Sequence, residues 1–116
     1  MCHVLIIEDD WFIVEYLTEL AEEAGATSIA RAATEGDAIS AAREKLPGII
    51  LSDVNLLTGT GPRAVEAIIA RAGPIPVIFI TGTPEDCAPC EPPSVILGKP
   101  INHQQVVNTF RQLAPV

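Results

Sequence analysis

A doubly wound α/β fold around a five-stranded parallel sheet is predicted by three features of this 116-residue chain. Short runs of Ile, Val and Leu alternate with amphipathic stretches, as successive βα units require. The apolar runs are hydrophobic at nearly every position, which is the pattern of strands covered on both faces. Cap and turn signals punctuate the segments. The length is that of one compact domain, so residues 1–116 read as a single unit without repeats, interdomain linker or output domain.

The first strand is predicted over His3 to Glu8 (HVLIIE). Ile13, Leu17, Leu20 and Ala24 then recur at three and four residues and form the buried stripe of a helix that starts at about Asp10. Gly25 ends that helix, and Glu15, Glu19, Glu22 and Glu23 are its wet side. Thr27 to Ala32 is the second strand. Thr34, followed three residues later by Asp37, resembles a capping box; Ala38, Ile39, Ala42 and Leu46 supply the apolar face of the second helix, which stops before Pro47. Gly48 to Asp53 (GIILSD) is the third strand. Pro62 occupies the first turn of a third helix, with Val65, Ile68, Ile69 and Ala72 turned inward until Gly73 and Pro74 end it. Val77 to Thr81 and Ser94 to Gly98 are the fourth and fifth strands, and Asn102 with Gln105 starts a last helix whose Val106, Phe110 and Leu113 face the core.

One connection departs from this rhythm. Between the last two strands, TGTPEDCAPCEPP carries Pro84, Pro89, Pro92 and Pro93, which remove amide donors and clash with any preceding helical turn. An ordered loop or a single turn is expected in place of a helix, on a right-handed crossover.

Composition excludes several classes of function. The chain is 48% hydrophobic and 19% charged, which rules out intrinsic disorder. Its net charge of −8 repels nucleic-acid phosphates and anionic membranes, so basic groups or cations are the expected partners. No apolar run approaches the roughly 20 residues of a membrane span, and no basic leader precedes the first strand, which points to the cytoplasm. Three cysteines, Cys2, Cys87 and Cys90, are too few for a disulfide scaffold and agree with a reducing compartment.

The candidate chemistry lies at the strand ends. In a doubly wound sheet every carboxyl end falls on one edge, where ligands bind at the switch point. Under the order 2-1-3-4-5 this gathers Glu8, Asp9 and Asp53 in one crevice, with Thr81 and Lys99 on its other wall. Three carboxylates so placed repel one another, and a hard dication, Mg2+, is the natural means of holding them ionised. A carboxylate can attack phosphorus to form an acyl phosphate while a metal, an ammonium and a hydroxyl neutralise the phosphoryl oxygens. Asp53 ends a central apolar strand and is the best nucleophile; Lys99, one of two lysines, and Thr81 are placed for the phosphoryl group.

The same residues carry a resemblance. LIIEDD, ILSDVNL, Thr81–Gly82 and Gly98-Lys99-Pro100, in that order and spacing, resemble the receiver domains of two-component response regulators over Val4 to Leu113. The resemblance implies that Glu8 and Asp9 are the acidic pair, Asp53 the phosphoacceptor and Asn55 the residue whose main-chain carbonyl ligates Mg2+. It implies likewise that Thr81 is the switch hydroxyl, Lys99 the phosphate-binding lysine and Gly61 the glycine opening the third helix. It implies a flavodoxin-like sheet of order 2-1-3-4-5, phosphotransfer from a sensor histidine kinase or phosphotransfer protein, autodephosphorylation, and output through a downstream protein target or service as a phosphate sink. Such a protein is a signalling phosphoacceptor and not an enzyme in the usual sense. Where the family carries Tyr or Phe three residues before its lysine this chain has Ile96, so a different readout is needed. PVIFITG and the proline-rich segment are similar to a receiver subgroup named for its P-F-A-T-G motif, whose members lack a regular fourth helix and work with HWE-type kinases.

Competing readings are weaker. Cys87-Ala-Pro-Cys90 is a genuine C-x-x-C that suits a redox switch or half of a zinc site, but no second ligand pair accompanies it. Gly59 to Ala64 fits a loose G-x-G-x-x-A dinucleotide fingerprint, yet it does not follow directly on a strand, and Pro62 lacks an amide that pyrophosphate would need. Asp10 reads as a helix N-terminal acid, His3 and His103 as structural or solvated, and Trp11 as a rim or packing residue.

Overall fold

The computed structural model describes residues 1–87, 90 and 94–115. Strands β1 (His3–Ile7), β2 (Ser28–Ala32), β3 (Ile49–Ser52), β4 (Val77–Thr81) and β5 (Val95–Gly98) form one parallel sheet of order β2-β1-β3-β4-β5. Helices α1 (Trp11–Ala24), α2 (Glu35–Glu44), α3 (Gly61–Ala72) and α4 (His103–Leu113) alternate with them. Only the connection from β4 to β5 lacks an α-helix among its described residues; it holds a single 3-10 turn, Pro84–Asp86. Ala88, Pro89, Glu91, Pro92 and Pro93 lie outside the described residues, and with them part of the expected proline-rich loop.

The register explains the apolar runs. Ile6 pairs with Leu51 and Leu51 with Ile78, so the three central strands bring aliphatic side chains side by side, with alternate residues facing opposite layers. One layer, beneath α1 and α4, contains Val4, Ile6, Leu17, Leu51, Ile80 and Phe110. The other, beneath α2 and α3, contains Leu5, Ile7, Ala38, Ile50, Val65 and Phe79. Both faces of the sheet are dry, and the sites left for chemistry are its edges.

The helix ends follow their caps. Asp10 accepts from the Phe12 and Ile13 amides, Thr34 from Asp37, Thr60 from Arg63, and Asn102 from Gln105. Each such bond satisfies an amide that the helix cannot, with a typical contribution of about 1 kcal/mol. Gly25 closes α1 at φ 120°, a region open to glycine at no steric cost. Two inward-facing residues from the sequence reading need correction. Leu46 lies past the end of α2 and is exposed, because the helix stops at Glu44; Ala72 is exposed, because the buried face of α3 runs through Ala64, Val65 and Ile68.

Candidate functional site

The carboxyl ends of β1 and β3 bring Glu8, Asp9 and Asp53 together, with one oxygen of each lying within 4.8 Å of the others. Parallel pairing produces this directly: Ile7 faces Ser52, and the Asp53 amide donates to the Ile7 carbonyl at 2.8 Å, so the residues following both strands emerge side by side.

The backbone aims each carboxylate. Glu8 is buried, and its Oε2 accepts the amides of Asp9 and Asp10 at 3.0 and 3.2 Å. Asp9 Oδ2 accepts the Leu57 amide at 2.6 Å, which ties the loop after β3 to the end of β1. Asp53 Oδ1 accepts the Val54 amide at 2.7 Å. Lys99 reaches in from the end of β5, its own amide donating to the Thr81 carbonyl at 2.9 Å. Its Nζ lies 3.2 Å from both Glu8 Oε1 and Asp53 Oδ2.

Three carboxylates therefore share one ammonium, which bridges Glu8 and Asp53. Burial, and then the charge of Asp53, push Glu8 up to about 7 against the opposing pull of the Asp10 amide and of Lys99. Lys99 shows the complement. Burial disfavours its charge, but Glu8 and Asp53 outweigh that and hold the ammonium above its ordinary pKa. The cluster is short of positive charge, and a hard dication bound by oxygens would supply it.

Thr81 ends β4 fully buried, and its hydroxyl is engaged by Thr83. Oγ1 accepts the Thr83 amide at 3.0 Å and lies 3.2 Å from Thr83 Oγ1. Asn55 is exposed and sends its side-chain amide to Thr83 Oγ1 at 2.9 Å and to Asp86 Oδ2 at 3.1 Å. Thus Glu8, Asp9, Asp53 and Lys99 are joined directly, whereas Thr81 and Asn55 are linked through the turn after β4.

Thr83, Asp86 and Glu35 escaped the sequence reading. Glu35 Oε1 accepts the Thr60 amide at 3.2 Å and so supports the loop after β3 from α2. Long-range contacts of this kind leave no periodic signal. Gly61 was legible as a helix-opening glycine, and its reason is steric: a Cβ there would run into the Asp53 carbonyl oxygen and Ser52 Oγ. The loose dinucleotide pattern is absorbed by the same loop and the first turn of α3, which Gly61 opens and Pro62 follows. Asp10 caps α1, Trp11 opens α1 exposed, His3 Nδ1 bonds Ser28 and His103 pairs with Glu23.

Comparison with known proteins agrees with this geometry. The response regulator receiver domain family matches residues 4–91. The phyllosphere-induced regulator PhyR of Methylorubrum extorquens is 35% identical over 112 residues, which cover 94% of this chain but 42% of that protein. The chain thus spans less than half the length of this relative. The PhyR receiver domain of Erythrobacter litoralis, solved by NMR, is 35% identical with a TM-score of 0.86, covering 97% of this chain and 88% of that one. The receiver domain of the sensor histidine kinase PA1611 from Pseudomonas aeruginosa, whose structure has a magnesium ion in its active-site cleft, shares the fold at 19% identity and a TM-score of 0.84, over 97% and 96% of the two chains. Family match, identity and sheet order agree: this chain belongs to the response regulator receiver domain family.

Proposed function

We propose that this domain accepts a phosphoryl group on Asp53 in a Mg2+-dependent reaction and thereby acts as a phosphorylation switch in two-component signalling. The observation that carries the reading is the junction of Glu8, Asp9, Asp53 and Lys99 at the ends of β1, β3 and β5.

The residues suit the metal. Asp9, Asp53 and the Asn55 main-chain carbonyl would hold Mg2+, with Glu8 supporting it as a ligand or through a retained water, and the charge deficit around Glu8 favours such binding. When bound, the ion would screen the charge of the incoming phosphoryl oxygens. The remaining chemistry falls to the protein. An Asp53 carboxylate oxygen attacks phosphorus, the P–N bond of the donor phosphohistidine breaks, and the electron pair goes to the departing imidazole, which takes a proton from solvent. Lys99, already 3.2 Å from Asp53, follows the negative charge onto the phosphoryl group. Thr81 must exchange its bonds to Thr83 for one to a phosphoryl oxygen, which couples acceptor chemistry to the turn at Pro84–Asp86. Water later cleaves the acyl phosphate and restores the carboxylate.

A sensor histidine kinase of the HWE type or a phosphotransfer protein is the proposed donor, and a downstream protein the proposed target. Treatment with a small phosphodonor and Mg2+, followed by intact-mass measurement, tests the acceptor. Wild type is expected to gain one phosphoryl adduct that chelator prevents and Asp53→Asn abolishes. An equal adduct on Asp53→Asn would show the acceptor to be elsewhere.

A further inference from the structure

The turn that engages Thr81 and Asn55 runs directly into a second reactive pair. Cys87 and Cys90 are bonded to each other, with Cα atoms 5.5 Å apart, an ordinary spacing for a disulfide. Both are half-buried and pack against the apolar layer beneath α2 and α3. Cys2, the remaining cysteine, is free and buried in the opposite layer, where burial raises its thiol pKa and keeps it out of exchange.

The bridge abuts the site. Cys87 follows Asp86 in the chain, and its amide donates to the Pro84 carbonyl at 3.1 Å, closing the turn. That turn presents Asp86 Oδ2 to Asn55 and Thr83 to both Asn55 and Thr81. A bridge spanning only two intervening residues removes little chain entropy from the unfolded state, so its effect falls on the local conformation and not on global stability. The turn it adjoins is the one whose bonds to Thr81 the proposed phosphoacceptor chemistry would exchange.

We propose that Cys87 and Cys90 form a reversible thiol–disulfide modification site, exchanging with a low-molecular-weight couple of the glutathione class, and that the bridge opposes the turn rearrangement required by phosphorylated Asp53. The coupling rests on the phosphoacceptor reading; the modification does not. In oxidation, one cysteine thiolate attacks the small disulfide RSSR, its S–S bond breaks and one RS− leaves, giving a mixed disulfide. The second cysteine thiolate attacks the protein sulfur of that mixed disulfide and expels the other RS−. Two protein thiols lose two electrons and two protons; RSSR takes the electrons and, from solvent, two protons, and becomes two RSH.

Coupling is reciprocal, so a phosphoryl mimic must favour the dithiol by the same factor by which reduction favours the mimic. The protein is equilibrated in glutathione buffers of graded ratio with Mg2+ alone or with Mg2+ and beryllofluoride, alkylated, and weighed, while fluorine NMR reports bound anion. Wild type is expected to form an intramolecular bridge that the double variant Cys87→Ser, Cys90→Ser lacks. Beryllofluoride should raise the dithiol-to-disulfide ratio by about fivefold or more, and the double variant should bind the anion like reduced wild type. Dithiol or glutathione adducts alone across the whole range would overturn the modification site. An unchanged ratio with anion bound would overturn the coupling. Absence of bound anion from both proteins would overturn the phosphoacceptor reading, and the coupling with it, while bridge formation in Mg2+ alone would still establish the modification.

Discussion

The two walls of the crevice are built differently. On one, Glu8, Asp9 and Asp53 each accept a backbone amide close to the end of a central strand, and Lys99 joins Glu8 to Asp53. On the other, Thr81 and Asn55 are engaged by the side chains of Thr83 and Asp86, at the two ends of the turn after β4. The acid wall is preformed by the sheet, and its geometry survives only if the sheet survives. The hydroxyl wall is held by a few exchangeable bonds, which is the construction expected of an element with two positions. The proposed phosphoryl chemistry needs the first property and the proposed switch needs the second.

Damage to the preformed wall should have the largest effect. Lys99→Ala leaves buried Glu8 facing Asp53 without the shared ammonium and removes the cation beside the proposed acceptor. Loss of one such electrostatic partner is expected to slow adduct formation by about 10²–10³-fold, read from the time course of intact mass. Gly61→Ala tests the same wall sterically, since its Cβ would displace the Asp53 carbonyl and Ser52. A destabilisation of about 2–3 kcal/mol is expected from the urea midpoint. A variant as stable as wild type would mean that the loop can shift, and that the wall is less fixed than its bonding suggests.

Acidity offers a gentler probe. Glu8 is raised from its ordinary 4.5 to about 7 in the folded protein, so in that interval the folded state binds more protons than the unfolded one. The contribution is fully present below pH 4.5 and is lost as pH rises through about 7, so metal-free protein should become less stable across this window. Mg2+ should reverse the loss at the upper end, and Glu8→Gln should flatten the profile. Thermal melts at successive pH values with chelator or Mg2+ check both statements.

The smallest effect is expected at the hydroxyl wall. Thr83→Ala removes the side-chain half of the link between Thr83 and Thr81 and the Thr83 bond to Asn55, while the Thr83 amide remains. Stability should change by no more than about 1 kcal/mol, and beryllofluoride should bind about fivefold more tightly because Thr81 has less to give up. Weaker anion binding would show instead that Thr83 supports the phosphorylated position.

The contrast between the walls also marks what could be read before any coordinates. Each strand was visible because burial on both faces writes a continuous apolar run, three helix starts because Asp10, Thr34 and Asn102 cap the chain locally, and the start of α3 because Pro62 stands in its first turn. Asp53, Glu8 and Asp9 were legible because topology alone sends strand ends to one edge. Leu46 and Ala72 were misplaced, because a helix face extended by periodicity ignores where the helix stops and which way it rolls on the sheet. Thr83, Asp86 and Glu35 were invisible, since their bonds to Asn55 and to the Thr60 amide join segments distant in sequence through side chains common in any loop. The C-x-x-C was seen, but its position against the turn that holds Thr81 and Asn55 emerged only from the folded chain.

An acyl phosphate can be located by chemistry that leaves a permanent mark. Borohydride reduces the activated carboxyl of an aspartyl phosphate to an alcohol, converting that residue to homoserine, which peptide sequencing by mass spectrometry places to one position. After treatment with phosphodonor and Mg2+, homoserine is expected at position 53 alone, and at no position when chelator is present. Homoserine at position 9, its one-carbon-longer homologue 5-hydroxynorvaline at position 8, or homoserine at 53 regardless of the metal, would contradict a Mg2+-dependent acceptor at the end of β3.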